Sequence, residues 1–173
     1  MQTRNTILKA LPGPAREALL DKGELVDLQL HDLLFDIDAP VRNVWFIERG
    51  IGSVVSVLAD GSAVETVTVG HEGMVGVPLF LGAEQMSAQA FVQVPGSGWR
   101  VPAPHFLDVL SATPELTHLL NRYTQAMITL IAQTSACNRK HSMEERCARW
   151  LLMTHDRVGA DSFELTHLIL SQM

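Results

Sequence analysis

GSVVSVLADGSAVETVTV, residues Gly52 to Val69, reads as two runs, Gly52 to Leu58 and Ala63 to Val69, on either side of Asp60-Gly61. Valine and threonine dominate both runs and suit a pleated, half-buried surface. Asp and Gly tolerate the positive φ values of a tight hairpin turn, so an antiparallel hairpin is predicted here. The same signature extends outward in both directions. Val26 to Phe35, Val44 to Ile47, Ala90 to Val94 and Gly98 to Val101 are rich in Val, Ile and Phe, with glycines and prolines between them. From Glu24 to Val101 there are enough antiparallel strands for a small barrel or roll.

Helical signals flank this β region. Ile7, Leu8 and Leu11, then Pro14 with Ala15, Ala18, Leu19 and Leu20, predict a short helical lead-in, with Pro14 at a first helical position. Downstream of Pro114, Leu116, Leu120, Tyr123, Met127, Leu130, Thr134 and Cys137 recur at alternating three- and four-residue spacings. Between Leu116 and Asn138 only Arg122 is formally charged, and Leu119, Ala126 and Ile131 form a second apolar edge. A helix so poor in charge is expected to be covered on more than one side. One face would pack on the β-domain and the seven-residue stripe would pair with a second copy, giving a homodimer; burial wholly within one subunit is the alternative. Ser142 and Glu145 have capping-box spacing for a further helix, with Met143, Cys147, Trp150 and Leu151 as its buried stripe and Gly159 as its stop. Thr166 is a candidate N-cap for a last helix containing Leu168, Ile169 and Met173, with Leu165 and Leu170 placed to staple its entry.

At 173 residues and 47% hydrophobic the chain can bury one sizeable core. No apolar run approaches the ~20 residues needed to span a bilayer, and Met1 to Leu11 lacks the h-region of a secretory signal. A cytoplasmic location is expected. Cys137 and Cys147 are too few for a Cys-only metal site or a disulfide framework, so packed, reduced thiols are expected. A net charge of −6 argues against a strong phosphate-binding surface on the whole chain.

The order of a β-roll, a glycine-punctuated turn, a long seam helix, a capped helix and a new helix resembles the Crp/Fnr superfamily of bacterial transcription regulators. The stretches that carry the likeness are Phe46-Ile47-Glu48-Arg49-Gly50, Gly70-His71-Glu72-Gly73-Met74-Val75-Gly76 at the family's phosphate-binding cassette, and Glu144-Glu145-Arg146-Cys147-Ala148-Arg149-Trp150-Leu151. Phe163-Glu164-Leu165-Thr166-His167, then Leu170, Ser171 and Gln172, resembles the opening of its winged helix-turn-helix. The resemblance implies an α+β chain: a cyclic-nucleotide-binding-like antiparallel β-roll (a jelly-roll, or double-stranded β-helix) over residues 1–112, a dimerisation helix over 113–140, and an incomplete helix-turn-helix over 141–173. DNA is then a partner only if a further C-terminal domain is present, and the 173-residue species is not expected to select a DNA sequence.

Relatives that bind cyclic AMP use a Gly-Glu-x-Gly turn, whose Glu holds the ribose, and an Arg-Ser/Thr-Ala step that neutralises the phosphate. Here the turn reads Gly73-Met74-Val75-Gly76, and the later step aligns with Ala88-Gln89-Ala90. No Arg or Lys occurs between Arg49 and Arg100, whatever the register. A buried phosphate needs a paired cation, so cyclic AMP binding is not expected, and the glycines serve a tight turn. Another small-molecule effector, in a pocket of Gly73, Met74, Val75, Gly76, Phe80, Leu81, Ala88 and Gln89, is the remaining functional reading. His71 and His105 are the only histidines to test for haem or a metal, and no ligand-type spacing supports either; no cofactor or metal is expected. A cupin-type enzyme would need several histidines and a glutamate on facing strands, where the β region offers His31 and little else, so no catalytic residue is assigned. A protein-interaction module, with the roll binding a partner, is the third class.

Overall fold

The computed structural model describes residues 2–163. The chain enters through α1 (Thr6–Ala10) and α2 (Gly13–Leu20). Asn5 caps α1 by accepting from Leu8 N at 3.1 Å, and its buried amide donates to Ile47 O at 2.9 Å and Gly73 O at 2.7 Å. One polar side chain thus holds the lead-in to two parts of the roll, with all its hydrogen-bonding groups paired. Leu8 and Leu19 are fully buried beneath it.

The β region is a six-stranded antiparallel sheet of β1 (Glu24–Leu28), β2 (Leu33–Phe35), β3 (Asn43–Val57), β4 (Ala63–Val69), β5 (Met74–Val75) and β6 (Gln89–Pro102). Its main path runs β1-β6-β3-β4, with β2 on β6 and β5 on β3. The expected run Val26 to Phe35 is two strands. It breaks at a turn in which Gln29 N donates to Asp32 Oδ2 at 2.7 Å and His31 takes a φ of 68°, so His31 is a turn residue and not a strand residue. The separate runs expected from Val44 to Leu58 are instead one fifteen-residue strand whose register shifts around Arg49 and Ile51. Gly50, at a φ of 81°, lets the chain continue through that irregularity. Likewise Ala90 to Val94 and Gly98 to Val101 belong to one strand, β6.

The hairpin at Asp60-Gly61 joins β3 to β4, with Val57 opposite Ala63 and Gly52 opposite Val69. Its loop is longer than a two-residue turn, and only Gly61 has a positive φ, of 83°. Asp60 acts through its carboxylate, which accepts from Ser62 Oγ at 2.6 Å and Ser62 N at 2.9 Å. Those bonds hold its pKa below the ordinary aspartate value.

Three helices follow. Helix α4 (Ala103–Ala112), which the periodicity did not announce, starts directly after Pro102 and buries Phe106 completely. Helix α5 (Pro114–Lys140) spans the expected charge-poor stretch, with Pro114 in its first turn. Leu116 and Leu120 are fully buried, each worth about 2 kcal/mol of transfer free energy. Helix α6 (Met143–Val158) carries the predicted capping box: Glu145 N donates to Ser142 Oγ at 3.3 Å and Ser142 N to Glu145 Oε2 at 2.8 Å. Gly159, at a φ of 65°, ends it. The buried stripe of α6 differs from expectation. Trp150 is buried and Cys147 half-buried, but Met143, in the solvent-exposed capped first turn, is 73% exposed, and Leu151 is exposed beside the buried Trp150. The expected helix after Thr166 lies outside the described residues.

Candidate functional site

Between β4 and α3 (Val77–Phe80) the chain makes a glycine-rich cassette. Gly70 N donates to Glu72 Oε1 and Gly73 N to Gly70 O, both at 3.1 Å, closing a tight turn. Strand β5 then pairs with β3, Met74 opposite Phe46 and Val75 opposite Trp45. Gly76, at a φ of 114°, turns the chain into α3. Over this cassette lies a cavity of ≈ 250 Å³.

Of the eight expected pocket residues, Met74, Val75, Gly76, Leu81 and Ala88 line the cavity. Gly73, Phe80 and Gln89 do not. Gly73 lies directly beneath Tyr123, and a Cβ there would stand well inside contact distance of Oη, Cζ and Cε2 of that ring. Phe80 is half-buried and packs against the core. Gln89 turns outward and donates to Asp36 Oδ1 at 2.9 Å. The rest of the wall comes from Phe35, Val54, Thr66, Val67, Val69, Val77, Pro78, Met86 and Ser87 of the roll, and from Thr124, Met127, Ile128 and Ile131 of α5. Of those on α5, Met127 belongs to the stripe and Ile131 to the second apolar edge, whereas the spacing singled out neither Thr124 nor Ile128.

The cavity wall contains no Lys, Arg, His, Asp or Glu. Its polar members are Thr66, whose hydroxyl donates to Val54 O at 3.0 Å, Ser87, and Thr124, whose Oγ1 is buried without a partner. Tyr123 donates to Met74 O at 3.3 Å. Burial, reinforced by the charge of Glu72, pushes its phenol above the ordinary tyrosine range, so the ring stays neutral. Cations gather elsewhere: a cleft of ≈ 640 Å³ that shares no lining residue with this cavity is bordered by Arg4, Lys9, Arg49 and Trp99.

The seven stripe residues of α5 face inward within this one chain. Leu116, Leu120 and Cys137 are buried, Tyr123 meets the cassette, Met127 lines the cavity, and Leu130 and Thr134 meet α6 and β4 around a smaller hollow. Apolar exposure on α5 lies instead on its flank, at Ile128 (56%) and Ile131 (38%).

Helix α6 is fastened to the roll at two carboxylates. Glu65 on β4 accepts from Trp150 Nε1 at 2.7 Å, from Ser53 Oγ at 2.8 Å and from Gln93 Nε2 at 2.6 Å. Glu72 in the cassette turn accepts from Arg157 Nε at 2.8 Å, and Arg157 also donates to Met153 O at 3.0 Å. The Arg157 side chain is only 13% exposed, which favours a stronger pair than a surface one. Thr134 accepts from Arg149 Nη1 at 3.0 Å, tying α5 to α6. The spacing of the sequence pointed to neither carboxylate as a fastening of α6, because their partners on that helix lie 85 residues away.

His71 stands 3.6 Å from Glu72, and His105 Nε2 lies 2.9 Å from Ala18 O. Among the described residues no three of His, Cys, Asp and Glu form a metal-holding group, and no helix is long and apolar enough to cross a membrane. Both cysteines are free.

The cyclic nucleotide-binding domain family matches residues 25–113, more than half of the chain. In fold the chain is similar to a transcriptional regulator of the Crp/Fnr family from Eubacterium rectale, with a TM-score of 0.77, 10% identity, and coverage of 98% of this chain and 79% of that one. It is also similar to the c-di-GMP responsive global regulator CLP of Xanthomonas campestris (TM-score 0.71, 11% identity, 87% and 76% covered). The sensor domain of the transcriptional regulator DNR from Pseudomonas aeruginosa gives a TM-score of 0.59 at 18% identity, with 74% and 87% covered. Among curated proteins none matches.

Proposed function

This chain belongs to the cyclic nucleotide-binding domain family, and on that premise we propose that it is the sensory and dimerising portion of a Crp/Fnr-like transcription regulator whose cassette does not take cyclic AMP. The observation that carries this reading is the wall of the cassette cavity, which keeps the glycine turn but offers neither a cation to a phosphate nor a carboxylate to a ribose. Burying a phosphate there without its cation would cost about 3 kcal/mol or more relative to a paired site. Isothermal titration calorimetry with cyclic AMP and cyclic GMP is expected to give no saturable heat from the folded chain. Micromolar, saturable binding of either would overturn the reading.

The signal route follows from the contacts. Thr124, Met127, Ile128 and Ile131 of α5 form one wall of the cavity, and Tyr123 of the same helix rests on Gly73. Helix α6 grips the cassette turn at Glu72. An occupant that binds one arrangement of α5 better than another shifts α6 with it. No catalytic role is assigned.

A homodimer remains part of this proposal, with its contact relocated. Because Leu116 and Leu120 are consumed by the roll, pairing runs along the exposed flank of α5 at Ile128 and Ile131, which also rim the cavity. The expected result is that Ile128→Glu halves the mass seen by light scattering without lowering the melting temperature of the roll. Leu120→Glu is expected to abolish folding instead. A dimer that survives Ile128→Glu together with Ile131→Glu would show that pairing lies elsewhere.

A further inference from the structure

We infer that the cleft bordered by Arg4, Lys9 and Arg49 is a second ligand site, for a small organic phosphate whose flat or apolar body lies on Trp99 and Leu25. The inference stands apart from the cassette cavity, with which the cleft shares no lining residue. Charge is the first observation. Arg4 and Lys9 reach the cleft from the lead-in and Arg49 from β3, and among the described residues none of the three pairs with a carboxylate. Glu48, the one acid on the wall, is buried and already accepts from Thr3 Oγ1 and from the Arg4 backbone N–H. Three cations against one carboxylate leave the cleft net positive, in a chain whose net charge is −6. Like charges so gathered repel one another, and an anion relieves them. A phosphomonoester suits them best: it carries close to two charges at neutral pH and three acceptor oxygens, which the forked donors of arginine fit. A cyclic phosphodiester, with one charge, gains less.

The second observation is how Arg49 comes to face the cleft. From Val44 to Ser53 every residue of β3 is buried except Arg49. Register shifts flank it on both sides, and a bulge of this kind re-aims a side chain. Two glycines make the bulge possible. Gly50 takes its positive φ, and a Cβ on Gly96 of β6 would collide with the Arg49 carbonyl. Ser97, opposite Arg49, is too small to fill the space beside it and adds a hydroxyl to the wall.

The third is the apolar floor. Leu25 and Trp99 are cross-strand partners on β1 and β6; Leu25 is 55% exposed and Trp99 half-buried. An indole face and a leucine open to the same cleft as three cations match a molecule with an apolar body and a charged end, and match inorganic phosphate poorly. At ≈ 640 Å³ the cleft falls in the usual range of about 300–1,000 Å³ for small-molecule sites. An occupant would bridge the lead-in to β1, β3 and β6, so saturation should also raise the melting temperature.

Calorimetry on the whole 173-residue chain with 1-naphthyl phosphate, 1-naphthol and inorganic phosphate tests this. At low salt, 1-naphthyl phosphate is expected to saturate with a Kd below about 1 mM, with both of its fragments weaker by about tenfold or more. Added salt should weaken it, because the cations are exposed. Arg49→Gln removes an exposed side chain that the fold does not use and should cost about five-fold in affinity; Arg122→Gln, on α5 outside the cleft, should cost nothing. Nuclear magnetic resonance locates the ring: of the three tryptophans, the indole N–H of Trp99 should shift on titration while those of Trp45 and Trp150 stay. No saturable heat from 1-naphthyl phosphate, equal affinity for 1-naphthol, equal losses from Arg49→Gln and Arg122→Gln, or an unmoved Trp99 indole would each overturn the inference, and none of these results bears on the cassette.

Discussion

Gly73→Ala is expected to destabilise the protein by about 3 kcal/mol, although it adds a single methyl group. The methyl has nowhere to go. Tyr123 covers Gly73 and is itself tied to Met74 O, so relief requires moving a buried ring, breaking its hydrogen bond and lifting α5 from the cassette. The Gly73 carbonyl also accepts from the Asn5 amide, so retreat of the glycine in the other direction loosens the lead-in. Chemical denaturation of wild type and variant measures the loss. Tyr123→Phe in the same chain should not relieve it, because Cζ and Cε2 are in the way as well as the hydroxyl. A Gly73→Ala variant as stable as wild type would show that α5 does not sit on the cassette as described.

Glu65→Ala is expected to release α6 from the roll while the roll stays folded. The substitution leaves the Trp150 indole, the Ser53 hydroxyl and the Gln93 amide without their common acceptor. Orphaned donors cost about 1–3 kcal/mol each when water cannot replace the lost partner, less where it can. Glu65 is half-buried, and the net loss should be about 2–3 kcal/mol. Hydrogen exchange locates it: amides of Met143 to Val158 should exchange at least tenfold faster, since about 1.4 kcal/mol of local opening free energy already suffices, while β3 and β6 keep their protection. Uniform acceleration across the chain would mean that Glu65 holds the sheet itself and not α6. Arg157→Ala adds to the effect if the two carboxylates act as separate fastenings.

What the residues declared in advance was local. The hairpin at Asp60-Gly61, the helix that begins at Pro114 and the capping box of Ser142 and Glu145 each depend on neighbours within a few positions, and all three stand in the structure. Strand continuity was less legible. Gly50 resembles punctuation between two strands, whereas β3 runs through it with shifted register. Helix α4 hid behind Pro102 and a short length. For the site, the glycine turn marked the right place and the missing cations marked what it lacks. Gly73 was expected to touch a ligand and instead accommodates Tyr123, because a close-approach glycine reads the same whatever approaches it. The stripe of α5 gave a correct period for a buried face but could not say which surface would bury it, since leucines serve a neighbouring sheet as well as a partner helix.

Strand β6 holds β1, β2 and β3 together, and it is the last strand of the roll in chain order. During synthesis, then, the emerging chain has the β3–β4 hairpin available as a local unit, but Glu24 must wait for Arg100 and Val44 for Val101. Until that final strand clears the ribosome, the inward faces of the others stay open to water and to neighbouring chains, a window in which such edges aggregate. Pairings across so many residues also close slowly. Vectorial synthesis therefore leaves this roll dependent on its own last strand, and the pace at which residues 89–102 emerge sets how long the hazard lasts.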